Sequence, residues 1–196
     1  MYRLFTARSA LAAFLLAACP LGSPLAAQSA AAPPELPAGS VAALDVALYT
    51  AGANLQEKTD TGHAALATSV LRGKLAELLG PALADSAAVA TRAHAPVIRE
   101  TAADQACNVI VACVRAVGRD LGATWVVMAK LSKTSNLIWL LTGQLINVKS
   151  GEIVMDDSTE LKGDPEPMVR AGVRIFAERV ARTVRQRAGG QQAPPS

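Results

Sequence analysis

The part of this chain that allows the fewest folds is the stretch 122–161. It opens with Gly-Ala-Thr-Trp-Val-Val-Met-Ala-Lys-Leu-Ser-Lys-Thr-Ser-Asn and continues Leu-Ile-Trp-Leu-Leu-Thr-Gly-Gln-Leu-Ile-Asn-Val. After Lys-Ser-Gly-Glu it closes with Ile-Val-Met-Asp-Asp-Ser-Thr-Glu-Leu. Three runs rich in β-branched and aromatic residues, separated by two polar turn signals, predict a three-stranded antiparallel meander. The second turn, Asn147 to Glu152, fits a short hairpin closed by a glycine at positive φ, which makes Gly151 the residue least tolerant of a side chain. The first turn, 132–136, ends in Asn136, a residue that accepts the left-handed region.

Alternation along the middle strand sorts its residues by face. Leu137, Trp139, Leu141, Gly143 and Leu145 make a face to be covered by helices. Ile138, Leu140, Thr142, Gln144 and Ile146 make one that is apolar at its start but carries Thr142 and Gln144, hence partly wet or met by a partner. Both tryptophans, Trp125 and Trp139, read as core.

The first 27 residues stand apart from this domain. Arg3 and Arg8 precede an apolar run, 9–18, and a helix breaker before small residues ends at Ala27, the pattern of a cleaved export signal too short to span a membrane. A second processing site competes within the same segment. Leu16-Ala17-Ala18-Cys19 matches the lipobox of bacterial lipoproteins, whose cysteine is acylated and becomes the new amino terminus, making 1–18 the leader. Either way residues 28–40, rich in Ala, Pro and Ser, form a linker, 41–187 a single domain, and 188–196 a disordered tail. Losing Arg3 and Arg8 leaves 17 basic against 16 acidic residues, so nothing favours nucleic acid.

Export decides how the three cysteines are read. With Cys19 removed or acylated, Cys107 and Cys113 remain in an oxidising compartment, where a disulfide is the ordinary state. On an unbroken helix they would lie about 9 Å apart along the axis, so a bond requires a bend between 107 and 111. The β-branched run 109–111 leaves room for one; the alternative is two buried free thiols. Two thiols without a neighbouring His fall short of a metal site.

The remaining elements follow in order. Val41 to Tyr49 is apolar apart from Asp45 and predicts a first, central strand. Thr61 caps a helix over 62–79, stopped by Gly80-Pro81. The Ala-rich stretch 82–106 suggests only a short strand near 87–91 and a turn or two of helix. A helix over 114–121 ends at Gly122, and Asp164-Pro165 starts a last one to about 187. The fold class is α+β, a mixed sheet of four to five strands with helices packed on one face.

Three segments carry a resemblance: Leu121-Gly122-Ala123-Thr124-Trp125-Val126-Val127, Lys133-Thr134-Ser135-Asn136-Leu137-Ile138, and Asn147-Val148-Lys149-Ser150-Gly151-Glu152-Ile153-Val154. They resemble a family of exported bacterial proteins of unknown function. More distantly, they look like the amino-terminal domain of TolB and the related lipoprotein of curli secretion. The resemblance extends over roughly 41–184 and implies a fold and an envelope address, with no established reaction. The chain departs from the pattern in the wider spacing of Cys107 and Cys113 and in Asn147, where Asp is usual.

Chemistry-bearing residues are sparse. His63 and His94 have no nucleophile to partner, no glycine-rich phosphate loop follows a strand, and neighbouring Asp156 and Asp157 face opposite ways on a strand. No catalytic residue, cofactor or metal is expected. Lys130, Lys133, Ser135 and Asn136 cluster at a strand end and form the one candidate spot for a partner or ligand, against a reading as turn chemistry. Arg170, Arg174, Arg182 and Arg185 share one side of the last helix as a solvated row.

The leading expectation is a non-enzymatic periplasmic domain, soluble or tethered to the outer membrane through Cys19, that binds another envelope protein. A small-ligand or enzymatic accessory, with a polar pocket near Lys133, is the alternative. A subunit of a symmetric secretion assembly is the third.

Overall fold

The computed structural model describes residues 35–50, 59–103 and 105–191; the leader, most of the linker and the last five residues lie outside them. The meander is present: β3 (Trp125–Lys133), β4 (Ile138–Asn147) and β5 (Ile153–Lys162) pair antiparallel in sequence, with Leu131 opposite Leu141 and Leu141 opposite Thr159. On its other side β3 takes two short parallel strands, β1 (Val41–Ala43) and β2 (Ala47–Thr50), to give a five-stranded mixed sheet. The class is α+β.

The predicted first strand is therefore broken in two, and the register says how. Val41 pairs with Trp125 but Ala47 with Lys130, so the first segment spends one residue more than β3 over the same distance. This is a bulge at 44–46. Its consequence is that Leu44 and Val46, two apart, face opposite sides of the sheet instead of the same one, while Asp45 between them is exposed. The broken ladder is re-satisfied locally: Leu44 donates its N–H to the Val127 carbonyl, and Val46 donates to Thr68 Oγ1 at 2.9 Å. The strand is also not central. It borders the sheet, and its apolar character is explained by residues 81–84, which close its outer edge with hydrogen bonds from Gly39 to Pro81 and from Ala84 to Val41.

Two long helices, α1 (Asp60–Leu79) and α5 (Pro165–Gln191), lie on the first face of the sheet. Leu71 and Leu75 from α1 and Val173, Phe176 and Val180 from α5 meet Trp139, Leu141 and Leu145 there, and none of these is more than 2% exposed. Spacings of three and four residues put these side chains on one stripe of each helix. Gly143 fits this layer because the Phe176 ring occupies the space where its side chain would be.

The second face also carries helices, which the one-sided arrangement did not include. Between the long helices come α2 (Ser86–Ala93), α3 (Pro96–Arg99) and α4 (Val111–Asp120), joined by 3-10 turns. Val89, Ile98, Val114 and Val117 from this group bury Ala42, Val126 and Ile146 on the sheet. The short strand suggested near 87–91 is helical: Asp85 accepts the Ala88 N–H and caps α2, and alanine is the best helix former. At the carboxyl end, α5 continues through residues 188–191, where the sequence predicts a disordered tail.

Candidate functional site

The four residues singled out at the end of β3 do not form one site. Lys130 and Lys133 are three apart on a strand and leave it on opposite faces. Lys133 points into the first-face core, where its Nζ stands 3.2 and 3.3 Å from the two carboxylate oxygens of Asp60; the two side chains are 4% and 1% exposed. The ammonium also lies 5.5 Å from the centre of the Trp139 ring, against which His63 stands edge-on at 5.3 Å. A paired charge at this depth locks the first turn of α1 to the end of β3, and Asp60 sits where a helix favours an anion.

Lys130, on the other face, lies 5.2 Å from the ring of the exposed Tyr49. Ser135 is turn chemistry: its hydroxyl accepts the N–H groups of Leu137 and Ile138. Asn136 is exposed and does not take the left-handed conformation. Leu137, grouped by alternation with the covered residues, stands in that turn at 70% exposure.

The second hairpin is anchored from outside. Gly151 adopts φ +78° and donates its N–H to the Asn147 carbonyl at 2.8 Å, while Asn147 Oδ1 accepts the Ser150 N–H. Asn147 thus performs the turn-closing role of a short carboxylate. Arg115 of α4 reaches over to donate to the carbonyls of Val148 and Lys149, and its guanidinium fills the space beside Gly151.

Cys107 and Cys113 are joined, with Cα atoms 5.2 Å apart. The bend the bond needs lies at Ile110, which is extended between a 3-10 turn at 107–109 and the start of α4. Among the described residues, no group of three or more His, Cys, Asp or Glu side chains gathers as a metal site, and no helix is long and apolar enough to cross a membrane. Asp156 and Asp157 do face opposite ways: Asp157 takes both oxygens to Arg179 of α5 at 2.7 Å, and Asp156 accepts from Gln144. In the α5 arginine row, Arg170 pairs with Glu166, and Arg185 donates to the Leu78 carbonyl.

What remains is a surface and an edge. On the second face α2 to α4 cover the sheet only at the Ile146 end. Beyond it runs a ladder of cross-strand pairs that no helix among the described residues seals, partly exposed on β4 and exposed on β5: Gln144 with Asp156, Thr142 with Ser158, Leu140 with Glu160, and Ile138 with Lys162. Tyr49 and Lys130 continue it onto β2 and β3. β5 then ends the sheet, ten residues long, with β4 as its sole strand neighbour among the described residues.

These features define a small α+β domain with one sheet face sealed by two long helices and the other half open. The chain belongs to the DUF3280 family, described as a protein of unknown function (DUF2380), whose model matches residues 39–180. No curated protein matches it. Among solved structures it is similar to the LpoB C-terminal domain from Escherichia coli, with 24% identity over 64% of this chain and 84% of that one, at a TM-score of 0.43. It is also similar to lipoprotein GNA1162 from Neisseria meningitidis, with 11% identity over 73% of this chain and 96% of that one, at 0.43. TolB from Acinetobacter baumannii matches at 12% identity over 76% of this chain and 28% of that one, at 0.42.

Proposed function

We propose that the protein is an exported, non-enzymatic domain of the cell envelope, and that a second envelope protein docks on its bare ladder and adds a strand along β5. The observation that carries this reading is the partly exposed half-face of β4 continuing into the exposed residues of β5, the ten-residue strand that ends the sheet. Long open edges invite pairing, and although β5 has a bulge at Val154 and four charges, its ladder to β4 is regular from Met155 to Lys162. Strand addition uses such an edge for main-chain hydrogen bonds and the adjoining face for side-chain selectivity. Export is supported by the leader pattern at 1–27 and by the Cys107–Cys113 bond, which belongs to an oxidising compartment. The mature chain then begins either at Gln28 or at an acylated Cys19, and mass spectrometry of the amino-terminal peptide distinguishes them.

Photo-crosslinking in intact cells tests the docking surface. A photoreactive residue at Ser158 or Thr142 should give one discrete product with an envelope protein, and the same residue at Arg174 on the exposed side of α5 should not. Equal products from both positions, or none from either, would refute the assignment. A product between two copies of this chain would favour an oligomeric assembly over a separate partner.

A further inference from the structure

The carboxylates along the β5 edge are matched by cations, with one exception. Asp157 turns to the first face and meets Arg179 at 2.7 Å. Glu160 meets Lys162 at 3.2 Å, and Glu152, just before the strand, meets Arg187 at 3.6 Å. Among the described residues Asp156 meets no cation; its side-chain partner is Gln144, whose Nε2 donates to Oδ2 at 3.1 Å. The other basic groups near this face are engaged elsewhere. Lys130, two strands away, lies against the Tyr49 ring, and Arg115 of α4 donates to the carbonyls of Val148 and Lys149.

The unmatched carboxylate also stands at the outer rim of a depression. Its rung runs Met128, Gln144, Asp156 across three strands. These residues line a cleft of about 310 Å³ whose other wall includes Val109 and Val111, where the short-helix layer begins. Met128 and Gln144 are half-buried, while Asp156 is exposed. A strand laid along β5 sets one side chain opposite Asp156 on this face and takes the carboxylate partly out of water. An apolar residue there would desolvate the charge without a partner, and an acidic one would repel it. A guanidinium answers both conditions: its planar fork donates to carboxylate oxygens, and it is more weakly hydrated than an ammonium, which suits a rim walled by Met128 and Val111.

We propose that the strand docking along β5 carries an arginine opposite Asp156, and that this pair selects the segment and fixes its register. The proposal rests on the docking reading above and names the chemistry of its partner. A slip of one residue would turn the arginine to the first face, where Asp157 already has Arg179.

The test takes the product crosslinked from Ser158, digests it and sequences the attached partner peptide by mass spectrometry. An arginine should lie within two residues of the attachment point, because Asp156 and Ser158 are two apart on one face. Asp156→Asn, at an exposed position, should leave the fold intact and lower the yield of that product about fivefold, the loss of one cross-strand charge pair. Asp156→Lys should abolish the product and Asp156→Glu should retain it. Glu160→Gln is the control: its charge is already matched by Lys162, so the yield should change by less than about twofold. The pairing is overturned if the partner peptide has no arginine at that distance, if Asp156→Asn leaves the yield unchanged, if Glu160→Gln lowers it as far, or if the product joins two copies of this chain. In each of the first three cases the docking surface itself still stands. No product from Ser158 in the parent chain would instead refute the docking reading, and the pairing with it.

Discussion

Adding a single methyl at Gly143 should destabilise the domain, although alanine is the better strand residue. An ideal Cβ built there stands 2.2, 2.4 and 2.9 Å from Cζ, Cε2 and Cε1 of Phe176. Carbon atoms rest at about 3.5–4.0 Å, so the ring tip must withdraw by more than 1 Å. It has nowhere to go: Phe176 is 2% exposed, and Val173, Ala177 and Val180 beside it on α5 are 0–1% exposed. Overpacking of this kind costs about 1–3 kcal/mol, and the closeness of three ring atoms places Gly143→Ala toward the top of that range. Relief of glycine's backbone entropy returns roughly 0.5–1 kcal/mol. The net loss is about 1–2.5 kcal/mol, a fall in Tm of roughly 3–10 °C for a domain of this size. Thermal and urea unfolding followed by circular dichroism would measure it. Gly73→Ala is the control, since nothing lies within 4 Å of a Cβ at that position in α1, and it should instead stabilise by up to about 1 kcal/mol. Combining Gly143→Ala with Phe176→Leu should recover part of the loss, with a coupling of at least about 1 kcal/mol. A Gly143→Ala protein as stable as its parent, or strictly additive variants, would mean that Phe176 does not seat on Gly143.

Three other perturbations probe the supports of the same fold. Lys133→Met removes one partner of a buried pair and leaves Asp60 at 1% exposure, which should cost about 3–5 kcal/mol in urea unfolding. Gly151→Ala forces a side chain into the left-handed region and against Arg115, so chemical denaturation should show a loss of about 1–2 kcal/mol, with the hairpin amides 147–152 losing hydrogen-exchange protection first. Replacing Cys107 and Cys113 together by serine opens a loop whose chain-entropy contribution is about 2 kcal/mol. Unfolding midpoints with and without dithiothreitol should then differ for the parent and coincide for the double variant.

How much of this was legible depended on whether a residue's neighbours were local. The meander could be read because alternation, the polar turn after β3 and Gly151 all lie within the segment they organise, and β3, β4 and β5 fall close to where those signals put them. The bulge at 44–46 could not, since it exists only relative to the register of β3, eighty residues away. Lys133 is an intermediate case. Alternation from Trp125 through Val127, Ala129 and Leu131 already placed it on the buried face, and grouping it with Lys130 as a surface spot ignored that parity. Nothing local announced Asp60 as its partner, because the pair spans 73 residues and joins a helix start to a strand end.

The two faces of the sheet explain why function is sought on one of them. Every odd position of β3 from Trp125 to Lys133, and the matching residues of β4 from Trp139 to Leu145, is committed to α1 and α5; even the charged Lys133 is neutralised inside that layer. A substitution there is expected to show first as a loss of stability. On the second face the short helices bury the end formed by Ala42, Val126 and Ile146. Thr142, Gln144 and the charges of β5 give a helix nothing to cover, yet Leu140, Ile138 and Tyr49 keep the region from being an ordinary hydrated face. A mixed surface on a strand that ends the sheet is better matched to a segment supplying its own backbone hydrogen bonds than to a helix, whose backbone is already satisfied. That is why the partner is expected to dock as a strand, and why crosslinks from Ser158 and Thr142, on adjacent strands of one rung, should reach the same protein.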